Sequence, residues 1–246
     1  YLAGLHVGVA CSDGIFLGRR QVQKTDAANW EGGRRLLLNR GIEAAVIENG
    51  APVILGQGLA YDRCAVGIVT NIVSGDEDLS RWDVQPTGGE YYTTPRSIYR
   101  TQVDVVLPSG CAVLNAEDEL VADFAELCDG EVIFFALDAA NPVLVAHLAA
   151  GRRGVTVADK RIVLRSGSDE TRLCRLVDAP YIGKAKKPTH VANVLAGVAA
   201  GWALGLSQDV LATGVKTFGL ELPDQVTVLS QRATKPLSAK RPAAAR

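Results

Sequence analysis

The sequence predicts an α/β fold with a mainly parallel sheet flanked by helices, and three features carry that prediction. Strand-like and helix-like segments alternate along most of the 246 residues, the pattern of sheets covered by helices. Two short runs, 44–47 (AAVI) and 65–69 (AVGIV), are continuously apolar, as suits strands buried on both faces. Each run ends in polar residues, Glu48 after the first and Thr70-Asn71 after the second. The carboxyl ends of neighbouring parallel strands are where open α/β sheets place their ligands.

In chain order, 6–10 reads as a short strand and Ser12-Asp13-Gly14 as the turn after it. Ile15, Leu17 and Val22 around Gly18 suggest a hairpin. Asn29 is a candidate N-cap for a helix carrying Trp30, Leu36, Leu37 and Leu38, with Gly41 as its stop. After the strands at 44–47 and 65–69, residues 73–100 turn acidic, aromatic and Gly/Pro-rich and read as a long surface loop. Strands are expected at 103–107 and 112–114, a helix at 119–128 and a strand at 132–136. Asn141-Pro142 opens a helix with proline in its first turn. Residues 155–177 read as a meander turning at Ser166-Gly167-Ser168. Two helices, 191–204 and 208–218, close the domain, which is drawn at 1–220. Residues 221–246 form at most one short strand and then a basic, Pro/Ala-rich tail, read as solubilising.

Composition narrows the function classes. Net charge is −1, which gives no reason to invoke nucleic acid or an anionic membrane. No apolar run approaches a membrane span and no signal peptide is visible. Cys11, Cys64, Cys111, Cys128 and Cys174 lack C-x-x-C spacing and read as reduced, buried residues of a cytoplasmic protein. The chain has no methionine, even at position 1, so it is expected to be a fragment of a longer reading frame.

The stretch around Glu48, Gly58-Leu59-Ala60-Tyr61-Asp62-Arg63-Cys64 and Val66-Gly67-Ile68-Val69-Thr70-Asn71 resembles the Mur ligase-like domain of cyanophycin synthetases. That family carries a Glu-ended strand, a glycine-rich loop, "GLxYDRC" and "VGVVTN". Ser12-Asp13-Gly14-Ile15-Phe16 is similar to its "TxDGxY", Leu114-Asn115-Ala116-Glu117-Asp118 to "LNADDP", and Val191-Ala192-Asn193-Val194-Leu195-Ala196 to "IANALAA". The resemblance spans roughly residues 3–220. It implies a Mur ligase central-domain-like fold, incomplete at the N-terminus, in an ATP-dependent amide ligase that adds arginine to aspartate side-chain carboxylates through an acyl phosphate. ATP, Mg2+, arginine and the cyanophycin polymer are the implied ligands, and the full-length protein is expected to be a homo-oligomer.

The resemblance also assigns candidate residues. Glu48 would hold magnesium; on residue type alone, a helix-cap or salt-bridge role weighs equally. Asn193 would face the adenine, against the plainer role of a helix asparagine bonding a loop carbonyl. His190 and Asn115 are further nucleotide candidates, although capping or solvation suits His190 as well. Asp62, Arg63 and Asn71 would shape the catalytic site. His6 and His147 read as structural.

Three departures stand out. The family's "GTNGKTT" phosphate loop is absent, and with it the backbone donors and lysine that cradle phosphates. The acidic run Gly75-Asp76-Glu77-Asp78 stands where Mur ligases place an Asp-His pair; Asp76 or Asp78 is a replacement ligand or part of a solvated loop. Nothing after Phe218 resembles the family's C-terminal lid. The chain alone is therefore expected to be inactive, with exposed apolar surface at a truncated sheet edge. The alternative function is a degenerate, non-catalytic scaffold or polymer-binding domain; a folylpolyglutamate synthetase-like ligase is a weaker third.

Overall fold

The computed structural model describes residues 2–72, 94–185 and 187–220. The expectations for the acidic run at 75–78, the tail at 221–246 and most of the 73–100 loop lie outside those residues. Among the described residues ten strands pair into two mixed sheets. A four-stranded sheet holds β1 (Val7–Cys11), β2 (Gly14–Leu17), β3 (Arg20–Gln23) and β4 (Ala44–Ile47) in the order β3-β2-β1-β4. A six-stranded sheet holds β5 (Cys64–Val69), β6 (Val106–Asn115), β7 (Glu131–Asp138), β8 (Arg153–Ala158), β9 (Arg161–Ser166) and β10 (Asp169–Arg175) in the order β10-β9-β8-β7-β6-β5.

The β5–β6, β6–β7 and β7–β8 pairs are parallel, whereas the β8–β9 and β9–β10 pairs are antiparallel and form the expected meander. In the smaller sheet only β1 and β4 pair parallel. The two apolar runs thus lie in different sheets, each at an edge among the described residues. Val46 is 53% exposed on β4 and Ile68 is 38% exposed on β5. Strands buried on both faces are instead β6 and β7. Alternating side chains split there: Val113, Ile133 and Phe135 pack with Leu195, Ala199 and Leu211 on one face, while Ala112, Leu114 and Phe134 pack with Phe124, Leu144 and Leu148 on the other. Those layers are supplied by α8 (Pro188–Ala203) and α9 (Gln208–Thr217) on the first face, and by α6 (Pro142–Ala149) on the second.

Capping chemistry explains most helix starts. Asn29 accepts from Gly32 N at 2.9 Å to open α1 (Trp30–Leu37). Asn141 accepts from Val143 N and Leu144 N at 3.0 and 3.1 Å to open α6, whose first residue is proline. Gly50 caps α2 (Ala51–Gln57), which connects the two sheets. Residues 94–100, expected as loop, contain α3 (Pro95–Tyr99), because Thr94 and Ser97 form a reciprocal capping box with proline at the first position. Val103, expected in a strand, belongs to α4 (Thr101–Asp104), and the strands expected at 103–107 and 112–114 are one long β6. The helix expected at 119–128 is α5 (Glu119–Ala122) continued by a 3-10 turn at Asp123–Leu127. A further short helix, α7 (Pro180–Ala185), precedes α8. Among the described residues no helix is long and apolar enough to cross a membrane.

Candidate functional site

Strands β5, β6 and β7 end together on one rim of the larger sheet, at Thr70-Asn71, Asn115 and Asp138. The Asn115-Ala116-Glu117-Asp118 loop ties these ends to one another. Asn115 Nδ2 donates to the Thr70 carbonyl at 2.9 Å, and its Oδ1 accepts from Glu117 N at 2.9 Å. Glu117 Oε1 accepts from Leu137 N and Asp138 N, both at 3.0 Å, where β7 ends. Asp118 Oδ2 accepts from Ile72 N at 2.8 Å, while Oδ1 caps α5 by accepting from Leu120 N and Val121 N. Asn71, between the two anchored backbone positions, is exposed.

The direction of α8 brings its first turns to the same rim. Its last turn lies at the opposite end of the sheet, where Arg153 at the start of β8 donates to the Trp202 carbonyl at 3.5 Å and stands 4.8 Å from the indole centroid. At ~1.5 Å per residue the helix is about 24 Å long, enough to traverse the strands. His190 in the first turn stacks on Tyr181, with centroids 4.6 Å apart and planes at 13°. Phe218 meets Tyr181 edge-on at 5.1 Å. His190 Nδ1 is buried without a hydrogen-bond partner among the described residues. Asn193, one turn further, is exposed.

The other candidates lie elsewhere. Asp62 and Arg63 precede β5 and so sit at its amino end, where Arg63 Nη1 donates to the Asp104 carbonyl at 3.3 Å. Six strand residues at ~3.3 Å each put them roughly 20 Å along the strand from Asn71. The structure therefore does not gather Asp62, Arg63 and Asn71 into one site. Glu48 follows β4 in the smaller sheet. Among the described residues it neither caps α2 nor forms a salt bridge; its Oε2 accepts from Ser12 N at 2.8 Å and Ser12 Oγ at 3.1 Å, closing the turn after β1. That contact spans 36 residues, beyond the reach of any local sequence signal. Among the described residues no group of three His, Cys, Asp or Glu side chains could hold a metal.

A polar bridge links the Glu48 region to the larger sheet. Asn49 Nδ2 donates to Tyr61 Oη at 3.0 Å, and Tyr61 Oη donates to Gln102 Oε1 of α4 at 3.2 Å. Burial, and then the neighbouring Cys64, push the Tyr61 hydroxyl up to about 12, with Asn49 opposing. Burial likewise pushes the Cys64 thiol up to about 11 and that of Cys111 up to about 12, which leaves both as poor nucleophiles near neutrality. His147 lies against β7, with Nε2 3.1 Å from the Val132 carbonyl, and burial holds its pKa below the ordinary histidine value.

Comparison with known proteins places this architecture. No family model matches the chain. Solved structures sharing the fold include MurF from Acinetobacter baumannii (TM-score 0.52, 16% identity, 87% of this chain and 40% of that one). A murein peptide ligase from Psychrobacter arcticus gives a TM-score of 0.50 at 9% identity, over 89% of this chain and 42% of that one. The chain shares the α/β architecture of the Mur ligase central domain. In sequence it is homologous to part of the cyanophycin synthetases: 31% identical over 215 residues to that of Synechocystis sp. and 30% over 215 residues to that of Crocosphaera subtropica, covering 87% of this chain in both cases. The chain spans about a quarter of the length of these curated relatives, 24% in each.

Proposed function

We propose that this chain forms part of an ATP-dependent amide ligase of the cyanophycin synthetase kind, which activates an aspartate side-chain carboxylate and joins it to arginine. The observation that carries this reading is the 215-residue match to cyanophycin synthetases, since the matched region includes the strand-end loop and the first turns of α8. In the proposed chemistry a carboxylate oxygen attacks the γ-phosphorus of ATP and ADP leaves. The arginine amine then attacks the carbonyl carbon, loses a proton, and expels phosphate carrying the former carboxylate oxygen.

The residues present fit parts of such a site. The Asn193 side-chain amide is exposed and offers both a donor and an acceptor to an adenine edge, and His190 lies one helical turn away. Glu48 spends Oε2 on Ser12, whereas among the described residues Oε1 makes only a 3.5 Å contact with Ser12 Oγ. This weakly held oxygen suits a single bond to Mg2+, which takes one or two carboxylates alongside phosphate oxygens. Bound there, the cation would neutralise the transferring phosphate. Phosphate cradling and the closing lid are assigned to parts of the enzyme outside residues 1–220, and the full-length protein, on this reading, is a homo-oligomer acting in the cytoplasm.

The test is arginine-dependent release of ADP by the product of the complete reading frame that encodes this chain. Asn193→Ala is expected to raise KM for ATP about 10-fold, the loss of a well-placed polar contact, and Glu48→Ala to abolish polymer synthesis. Undiminished synthesis by Glu48→Ala would overturn the catalytic assignment and point to a scaffold.

A further inference from the structure

We infer that Asn115 and Asp118 are positioning residues that hold the Thr70-Asn71-Ile72 segment in place and so present the Asn71 side chain at the rim; the inference rests on the ligase reading above. The two side chains grip the segment on either side of Asn71. Asn115 Nδ2 holds the Thr70 carbonyl at 2.9 Å, and Asp118 Oδ2 holds the Ile72 amide at 2.8 Å. Both residues are themselves fixed by their own loop. The second polar atom of Asn115 is taken by Glu117 N at 2.9 Å, and the second oxygen of Asp118 by Leu120 N at 3.1 Å and Val121 N at 3.2 Å. The loop is in turn pinned to the end of β7 by Glu117 and by Asn141 Nδ2, which donates to the Ala116 carbonyl at 3.2 Å.

Every polar atom of the Asn115 and Asp118 side chains thus makes a hydrogen bond to protein, which suits a supporting role. Asn71 is the reverse case: its backbone neighbours are anchored and its exposed side chain makes no hydrogen bond among the described residues. A side chain on a backbone fixed at both flanks loses little freedom when it meets a ligand. The polar strand end noticed in the sequence acquires its rigidity from a loop that begins 44 residues later.

Two isosteric substitutions cut the grip while sparing the loop. Asn115→Asp replaces the donor to Thr70 with an oxygen and keeps the acceptor for Glu117 N. Asp118→Asn can still cap α5 with its carbonyl oxygen, which turns an amide group toward the Ile72 N–H. The first measurement is amide hydrogen exchange on this chain, which needs no activity. Asp118→Asn should speed exchange at Ile72 about 10-fold or more while Leu120 and Val121 keep their protection. Unchanged exchange at Ile72, or equal loss at all three amides, would overturn the clamp.

The second measurement is kinetic, in the complete ligase. Each variant should lower kcat about 10-fold to 100-fold, as loss of a charge-assisted or buried hydrogen bond allows, with KM for ATP little changed. Against an Asn71→Ala background the same substitutions should cost almost nothing more, since the clamp acts through that side chain. Full additivity would overturn the assignment to Asn71. An inactive parent enzyme alongside the expected exchange pattern would instead refute the ligase reading and leave the clamp standing.

Discussion

A methyl group at residue 67 should destabilise the domain far more than one at residue 197, although both replace glycine in a regular element. Gly67 lies in β5 where α4 crosses it. An alanine Cβ there would fall inside the contact distance of the Gln102 carbonyl oxygen and 2.8 Å from Val106 Cγ2. Ordinary contacts of this kind are 3.4–4 Å, so α4 must retreat by more than half an ångström, and a backbone carbonyl cannot turn aside as a side chain can. Overpacking in a tight core costs ~1–3 kcal/mol, and a backbone obstacle places Gly67→Ala near the upper end, about 3 kcal/mol. Gly197 lies on the exposed face of α8 with nothing within 4 Å of the added carbon. Gly197→Ala should therefore stabilise by ~0.5–1 kcal/mol, the helix preference of alanine over glycine. Urea unfolding followed by circular dichroism separates the two. With m of about 2 kcal/mol per molar, the midpoint should fall by about 1.5 M for Gly67→Ala and rise slightly for Gly197→Ala. Midpoints that move together would refute the packing of α4 on β5.

Three further outcomes follow from buried and half-buried polar groups. Tyr61→Phe strands Asn49 and the 8%-exposed Gln102 without their shared partner and should cost about 1–2 kcal/mol in the same assay. Because burial raises the Tyr61 pKa from 10.0 to about 12, the folded state keeps that proton longer than the unfolded state does. The stability this contributes is present below pH ~10 and is lost as pH rises toward ~12, a slope Tyr61→Phe should remove. His147 shows the opposite sign. Its pKa is lowered by burial from 6.5, so the unfolded chain takes up the proton first and stability should fall as pH drops below ~6.5; His147→Gln should flatten that acid limb. Arg153 grips Glu131 with two bonds of 2.6 Å while lying over Trp202. Arg153→Lys, which cannot reproduce the fork or the stacking, should lower stability by about 1–2 kcal/mol.

Local chemistry was legible in the sequence wherever it stayed local. Asn29 and Asn141 cap the helices expected of them, and the meander with its turn at Ser166-Gly167-Ser168 forms as read. The Thr94-Pro95 start of α3 was equally local, but the Gly/Pro-rich stretch before it masked the capping signal. What failed was inference from apolar runs to sheet position. Residues 44–47 and 65–69 are apolar enough for a sheet centre yet stand at two separate edges, because pairing depends on which strands are available and not on the run itself. The separation of Asp62 and Arg63 from Asn71 was hidden for a similar reason: closeness in sequence across a strand means separation by the strand's length. The strand-end loop was visible as a motif, but its grip on residues 70 and 72 depends on contacts spanning 45 and 46 residues, which no local pattern encodes. Asp118 as the cap of α5 could have been found, since it stands one acidic residue, Glu119, before the apolar Leu120-Val121 pair.

The most direct measurement of the central claim follows oxygen. The complete ligase would be supplied with polymer whose aspartate side-chain carboxylates carry oxygen-18, together with ATP and arginine, and the released phosphate examined by mass spectrometry. Activation through an acyl phosphate predicts one labelled oxygen in inorganic phosphate for each arginine joined. Label retained wholly in the polymer or in water, or appearing in a nucleoside monophosphate, would contradict the account.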